Sequence, residues 1–325
     1  MMVEGSPTLT VKRAVGTFRP LVLTPSEDLR GYVLAHIGRA LLFLIACTSV
    51  VAIFLIFLFV IREAVGFLQA ESLTDFLSKT GWYPQAEPAK FGAAAIVVGS
   101  LYVTAASLVF AVPVGILAAI FLSDIVSFKV RSVVKPVIEL LAAIPSVAYG
   151  FFAVLVLAPY LQKKFGFPTG TNALNASIIL AVMALPTIIS VAEDSLSALG
   201  RELREASYSL GATRMETMFK VVIPAAHSGI IAAVVLGMMR AIGETMVVWM
   251  ASGNAAQIPR PWWDISQSVR TLTATIAGEM GETPKDTSHY YALFMMGVLL
   301  LVLTFGLNIV SEFFLSRAKK ATGMS

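Results

Sequence analysis

The chain has 325 residues, of which 57% are hydrophobic and 14% charged, with a mean hydropathy of +0.80 and a formal net charge of +4. Soluble domains are about half apolar and about a quarter charged, so this composition excludes an ordinary soluble enzyme and any disordered or collagen-like chain. The single cysteine, Cys47, excludes an internal disulfide framework, and the basic residues are spread along the chain rather than gathered into a nucleic-acid patch.

A helix that crosses a bilayer needs about 20 mostly apolar residues. Charge-poor windows predict an all-α membrane protein with six transmembrane helices, at roughly 37–61, 94–122, 134–159, 173–197, 227–250 and 290–315. Residues 1–36 precede the first helix without a visible cleavage site, so that helix is expected to remain as an anchor. The predicted organisation is a segment 1–36, a first helix with its following loop over 37–92, a five-helix core over 93–316 and a tail 317–325. Pro145 and Pro186 fall inside the third and fourth predicted helices, as kinks. Asn172 and Asn175 read as caps at the start of the fourth.

Fifteen Lys and Arg lie in the two termini and the loops on their side, against eight in the opposite loops. The positive-inside rule therefore places both termini and loop 198–226 in the cytoplasm, with loops 62–92 and 251–289 outside. Trp249, Trp262 and Trp263 read as an interfacial belt. Glu193 and Asp194 are expected to be exposed at the inner side, with Arg201 or Arg204 as partners. The long outer loop 251–289 contains the run Arg270–Ile276, which could re-enter the bundle or cover its outer face.

Loop 198–226 carries the densest local signals. Residues 201–210 are good helix formers, and Gly211 is placed to end that helix at positive φ. Thr213, with Glu216 three residues on, is a capping box that starts a second short helix. Met215, Met218, Phe219 and Val222 fall on one face, and Pro224 is expected to end the piece and lead into the fifth span. Such a helix can lie on lipid headgroups, pack on its own bundle or dock into a groove on a soluble partner.

Arg240 lies near the middle of the fifth span, where an arginine costs about 2.5–3.5 kcal/mol on insertion scales. Glu244 follows at i+4, so both are expected on one helix face, with Gly243 offering a smooth patch to a neighbouring helix. Two readings stand. One is a structural ion pair that neutralises itself in the bundle. The other is an anion path, in which the planar guanidinium donates parallel hydrogen bonds to a phosphate-like oxyanion and Glu244 holds it when the path is empty. Glu244 accepting a proton from a phosphate hydroxyl would favour phosphate over sulfate. There is no nucleophile–base arrangement and no histidine spacing suited to a metal, so no catalytic residues, metal or cofactor are expected. The sequence contains no Gly-x-x-x-x-Gly-Lys-Ser/Thr phosphate loop, so energy has to come from a separate subunit or an ion gradient.

Glu205-Ala206-Ser207, three residues, Gly211, nine residues and Val221-Val222-Ile223-Pro224 resemble the EAA loop of ABC-importer permeases. That pattern is Glu-Ala-Ala, three residues, Gly, nine residues, Ile-x-Leu-Pro. Glu205, Ala206, Gly211 and Pro224 match at full spacing, and Ser207, Val221 and Ile223 depart conservatively. Ile223–Ile230, Arg240–Thr245, Ser252–Asn254, Arg270–Glu282 and Ser288–Phe294 are similar to the PstC family of phosphate-importer permeases. The similarity runs from about residue 93; residues 1–90 resemble the family only in layout. It implies a type I ABC-importer permease fold in a bacterial plasma (inner) membrane. It also implies that Glu205, Ala206, Gly211, Thr213, Met215 and Pro224 belong to a coupling segment seated on an ATPase subunit, and that Arg240, Glu244 and Thr245 line the substrate path.

The partners implied are a PstA-like second permease, two copies of a PstB-like cytoplasmic ATPase and a PstS-like phosphate-binding protein at the outer loop. Inorganic phosphate is the implied cargo, moved by alternating access. Sulfate and molybdate permeases carry a similar Arg-x-x-Gly-Glu element, so either anion is an alternative. An ion-coupled secondary transporter is a different class, which the EAA-like loop opposes, and a membrane enzyme lacks its catalytic constellation.

Overall fold

The computed structural model describes residues 25–321; residues 1–24 of the N-terminal segment and 322–325 of the tail lie outside the described residues. The chain divides into two units, Met1–Leu58 and Phe59–Ser325, with the boundary inside helix α1 (Pro25–Ala70). In the first unit, Leu41, Phe43, Ile45, Phe54 and Ile56 are exposed along α1, as a lipid-facing anchor requires.

In the second unit, the end of α1 leads to α2 (Leu73–Ser78) and a small antiparallel hairpin, β1 (Trp82–Tyr83) on β2 (Lys90–Phe91). Their apolar residues close one end of the bundle: Phe67, Phe76, Trp82 and Phe91 form a single buried cluster with Ile96, Leu272 and Leu293 from later helices. Helix α3 (Ala94–Ile120) follows and is extended by a π turn, Phe121–Ile125. Next come α4 (Phe128–Ala142) and α5 (Ser146–Phe152), and α5 continues through a second π turn, Ala153–Leu157, into α6 (Ala158–Phe165). The long α7 (Ala173–Ala198) and the short α8 (Arg201–Ser209) are followed by α9 (Arg214–Thr217), which runs through a third π turn, Met218–Val222, into α10 (Ile223–Ile242). The chain then forms α11 (Met246–Ala251), α12 (Leu272–Glu279) and α13 (Ser288–Ala321).

Among the described residues, six stretches are long and apolar enough to cross a membrane: Gly31–Ala70, Ala94–Ile125, Ser146–Phe165, Ala173–Ala198, Arg214–Ile242 and Ser288–Phe313. The expected number holds, but the third span starts later than the predicted 134–159. Pro145 is not a kink inside a helix. It is the N-cap of α5, with φ −57° and ψ 135°, because proline has no N–H to continue the ladder from α4 and forces the residue before it out of helical geometry. The predicted span 134–159 thus straddles a break, and α4, with Lys129, Arg131, Lys135 and Glu139, is a separate amphipathic segment with no buried residue.

Helix α7 is the centre of the bundle, packed between α3 and α10. Ile188 is fully buried there. A Cβ at Gly115 on α3 would lie 2.7 Å from Ile188 Cγ2, and one at Gly237 on α10 would lie 2.5 Å from Cγ1, so glycine on both neighbours admits this one side chain. Asn172 caps α7 as expected, its side chain accepting from the Asn175 N–H at 2.9 Å. Asn175 is not a cap: its buried amide donates to the carbonyls of Ala153 (3.0 Å) and Gly170 (2.9 Å), pinning α7 to the turn after α5.

Candidate functional site

The fifth span does not continue through Arg240 and Glu244 as one helix. Arg240 is in the last turn of α10, Gly243 (φ −82°, ψ −6°) terminates it, and Glu244 and Thr245 lie in the break before α11. Two of the carbonyls released there find side-chain donors. Thr273 Oγ1, from α12, donates to the Glu244 carbonyl at 2.8 Å, and Thr245 Oγ1 donates more weakly to Gly243 O at 3.4 Å. The predicted shared helix face is therefore lost. Among the described residues no ion pair joins Arg240 to Glu244. Gly243 is exposed rather than packed against a neighbouring helix. Arg240 Nη2 reaches the Ala142 carbonyl at the end of α4 at 3.4 Å, a long contact, and its buried Nε has no acceptor among the described residues. Half-buried Glu244 and Thr245 lie beside it in the break.

In loop 198–226 the local predictions hold closely. Gly211 adopts φ +87° after α8, and both halves of the Thr213–Glu216 capping box are formed. Met215, Met218, Phe219 and Val222 border one apolar groove together with Leu117, Ile120 and Phe121 of α3 and its π turn. Met218 and Val222 form its buried floor, whereas Met215 and Phe219 stay exposed. Glu205 and Ala206 are exposed on α8, and Leu210 is 89% exposed. Pro224 does not end the piece. The π turn just before it resets the hydrogen-bond ladder, and Pro224 occupies the first turn of α10, where a missing N–H costs little.

The charges at this end pair differently from the expectation. Glu193 is not exposed; it is fully buried on α7, held by Arg131 and by Lys135 Nζ (2.8 Å), both from α4, and by Ser197 Oγ (2.7 Å). Asp194 also pairs with Lys135. Burial alone would lower the Lys135 pKa, but its hydrogen bonds to Asp194 and Glu193 outweigh this and hold it above the usual lysine value. Arg204 turns instead to Asp124, at the end of α3.

At the opposite end, α12 packs across the bundle as one of the two predicted alternatives, with Leu272–Thr275 buried and Thr271 as its N-cap. The carboxylate of Glu279 at its far end gathers Arg270 Nη2 (2.7 Å), His289 Nε2 (2.8 Å) and Trp82 Nε1 (3.0 Å), joining the hairpin, α12 and α13. Asp264 in the same loop is held below its ordinary carboxylate pKa by hydrogen bonds from the Ser266 hydroxyl, Gln267 and the Ser266 N–H.

A family model described as the binding-protein-dependent transport system inner membrane component matches residues 111–320. This chain belongs to that family. The permease is 37% identical over 294 residues to the probable ABC transporter permease protein YqgH of Bacillus subtilis, covering 90% of this chain and 92% of that one. It is 35% identical over 268 residues to the phosphate transport system permease protein PstC of Mesorhizobium japonicum, covering 77% and 80%. A chain of the solved bacterial ABC transporter involved in the import of the acidic polysaccharide alginate shares its fold at 16% identity and a TM-score of 0.59, over 88% of this permease and 99% of that chain. The protein is thus the membrane component of an ABC importer, a multi-pass transport subunit rather than an enzyme, with ATP hydrolysed by a separate subunit.

Sequence reasoning missed Thr273, Asp124 and the α4 cations Arg131 and Lys135 as partners. Their partners are 29, 80, 62 and 58 positions away or come from separate helices, so no local spacing could name them.

Proposed function

We propose that this permease forms half of the path of an ATP-driven inorganic phosphate importer, and that the anion passes the α10–α11 break at Arg240, Glu244 and Thr245. The observation that carries this reading is the buried Arg240 Nε without an acceptor. A guanidinium placed among spans at this cost, and left partly unbonded, is satisfied when an oxyanion arrives. Glu244, close by in sequence yet not ion-paired with it, is available to interact with a phosphate hydroxyl. The relatives named as phosphate transport permeases support the choice of anion.

In this reading the 198–226 end is cytoplasmic, both termini are cytoplasmic, and the membrane is the bacterial plasma membrane. Glu205, Ala206, Gly211, Thr213, Met215 and Pro224 belong to the segment that meets one of two ATPase copies. A second permease completes the pore by contributing the other coupling segment. An extracytoplasmic phosphate-binding protein delivers the anion at the 251–289 end, and the ATPase cycle alternates access to it. In this reading the chain is organised as segment 1–36, whose residues from Pro25 on already belong to α1, anchor and outer loop 37–92, five-helix core 93–316 and tail 317–325, into which α13 runs as far as Ala321.

The test is uptake by the assembled transporter in proteoliposomes with phosphate, sulfate and molybdate compared. Arg240→Lys is expected to lower phosphate uptake, since a point ammonium cannot replace the planar fork. Glu244→Gln is expected to narrow the preference for phosphate over sulfate. Equal wild-type transport of sulfate or molybdate would refute the phosphate reading, and unchanged discrimination in Glu244→Gln would refute the role of Glu244 in it. Gly211→Pro, incompatible with φ +87°, is expected to leave the bundle folded but to separate ATP hydrolysis from uptake.

A further inference from the structure

Arg204 precedes the exposed Glu205 on α8 but turns towards the bundle. Its Nε donates to Asp124 Oδ1 at 2.7 Å and its Nη2 to Asp124 Oδ2 at 3.3 Å, a two-pronged fork onto the π turn that extends α3. Nη2 also donates to the Leu196 carbonyl at 3.0 Å, and Nη1 to those of Leu199 (2.6 Å) and Gly200 (3.4 Å). Every nitrogen of the guanidinium is engaged. Its contacts reach three places: the end of α3, the last turn of α7 and the link from α7 to α8. The carbonyls at the end of α7 lack intrahelical donors and sit at the negative end of the helix dipole, so a cation suits them twice over. Ser123 Oγ holds the same carboxylate through Asp124 Oδ2. Both charged side chains are only 14% exposed, unlike the loose surface pairs that contribute little. A second side-chain tie from α8, the Ser207–Thr217 hydroxyl contact at 2.8 Å, leads to the α9–α10 segment instead.

We infer that Arg204 is a positioning residue for transport: through Asp124 and the α7 carbonyls it makes α8 move as one body with the ends of α3 and α7, so that displacement of α8 reaches two central spans directly. This rests on the proposal that the α8 segment meets the ATPase. Lysine cannot substitute, because it lacks the fork that engages Asp124 and the carbonyls together.

The experiment measures phosphate uptake and ATP hydrolysis on the same assembled transporter in proteoliposomes. Arg204→Met combined with Asp124→Asn removes both charges, so no unpaired carboxylate is left buried to unfold the chain. Hydrolysis is expected to stay within about twofold, while uptake per ATP falls about tenfold, the scale on which changes along a coupling route act. In a Cys47→Ser background, Asp124→Cys with Arg204→Cys is expected to lose uptake per ATP in the same way and to regain it when a short thiol-reactive cross-linker rejoins the two positions. An unchanged ratio in the uncharged double variant overturns the inference, and so does a loss that the cross-link fails to restore. Leu210→Asp separates this from the underlying reading. ATPase binding that survives Leu210→Asp refutes the contact between this segment and the ATPase. ATPase binding that is lost, alongside an unchanged ratio in the uncharged double variant, overturns the Arg204 role alone.

Discussion

Around Glu193 on α7, a carboxylate with no solvent exposure is met by Arg131, Lys135 and Ser197; around Arg240 on α10, a buried guanidinium Nε is met by no acceptor among the described residues, and Nη2 reaches a carbonyl only at 3.4 Å. Both are charges among membrane-spanning helices. The first is compensated on every side, as a group whose job is to hold α4 against α7 must be, since a buried ion without a partner is strongly destabilising. The second is left short of partners in a helix that breaks three residues later. On the proposed reading, an anion from outside the chain supplies the missing contact. On that same reading, the two sites separate a charge kept for structure from a charge kept for transport.

The largest effect should come from stripping the compensated site. Arg131→Met with Lys135→Met leaves Glu193 buried and unpaired. It is expected to cost about 3–5 kcal/mol, read as a lowered thermal unfolding midpoint in detergent. A midpoint unchanged from wild type would mean that Glu193 does not depend on these cations. Thr273→Val removes the hydroxyl that satisfies the Glu244 carbonyl at the break, and an expected cost of about 1–3 kcal/mol tests whether the break is held by that one bond. Glu244→Gln should lie within about 0.5 kcal/mol of wild type in stability, because among the described residues no partner depends on its charge, while its anion discrimination changes. A large stability loss there would erase the contrast with Glu193.

The smallest effect concerns Asp264. Its pKa is depressed in the fold, so its stabilising contribution is complete above the unfolded value of about 3.9 and fades as pH falls through the lower folded value. Asp264→Asn should therefore show less acid-induced opening of the 251–289 loop between neutral pH and pH about 3 than wild type, measured by limited hydrogen exchange.

Much of the chain was readable in advance because it depends on neighbours in sequence. Hydropathy over windows of about 20 residues marks the spans. The φ-tolerant Gly211 and the Thr213–Glu216 capping box are local devices, and the EAA-like spacing lies within one loop. The breaks at Pro145 and Gly243–Thr245 were harder to see. Proline and glycine occur both inside membrane helices and at their ends, and which outcome prevails depends on whether distant groups, such as Thr273 on α12, accept or donate to the freed backbone.

By itself, then, the sequence determined the number and nature of the spans, the coupling-like loop with its caps, and the presence of an arginine and a glutamate near one another in an apolar region. Tertiary structure alone decided that these two do not pair, that Glu193 takes its cations from α4, and that Arg204 closes onto Asp124. Charges among spans choose partners by proximity in the packed bundle, where removing water makes each contact strong. That proximity is created by helices meeting side by side, which residue order along one strand of chain does not encode at any fixed spacing.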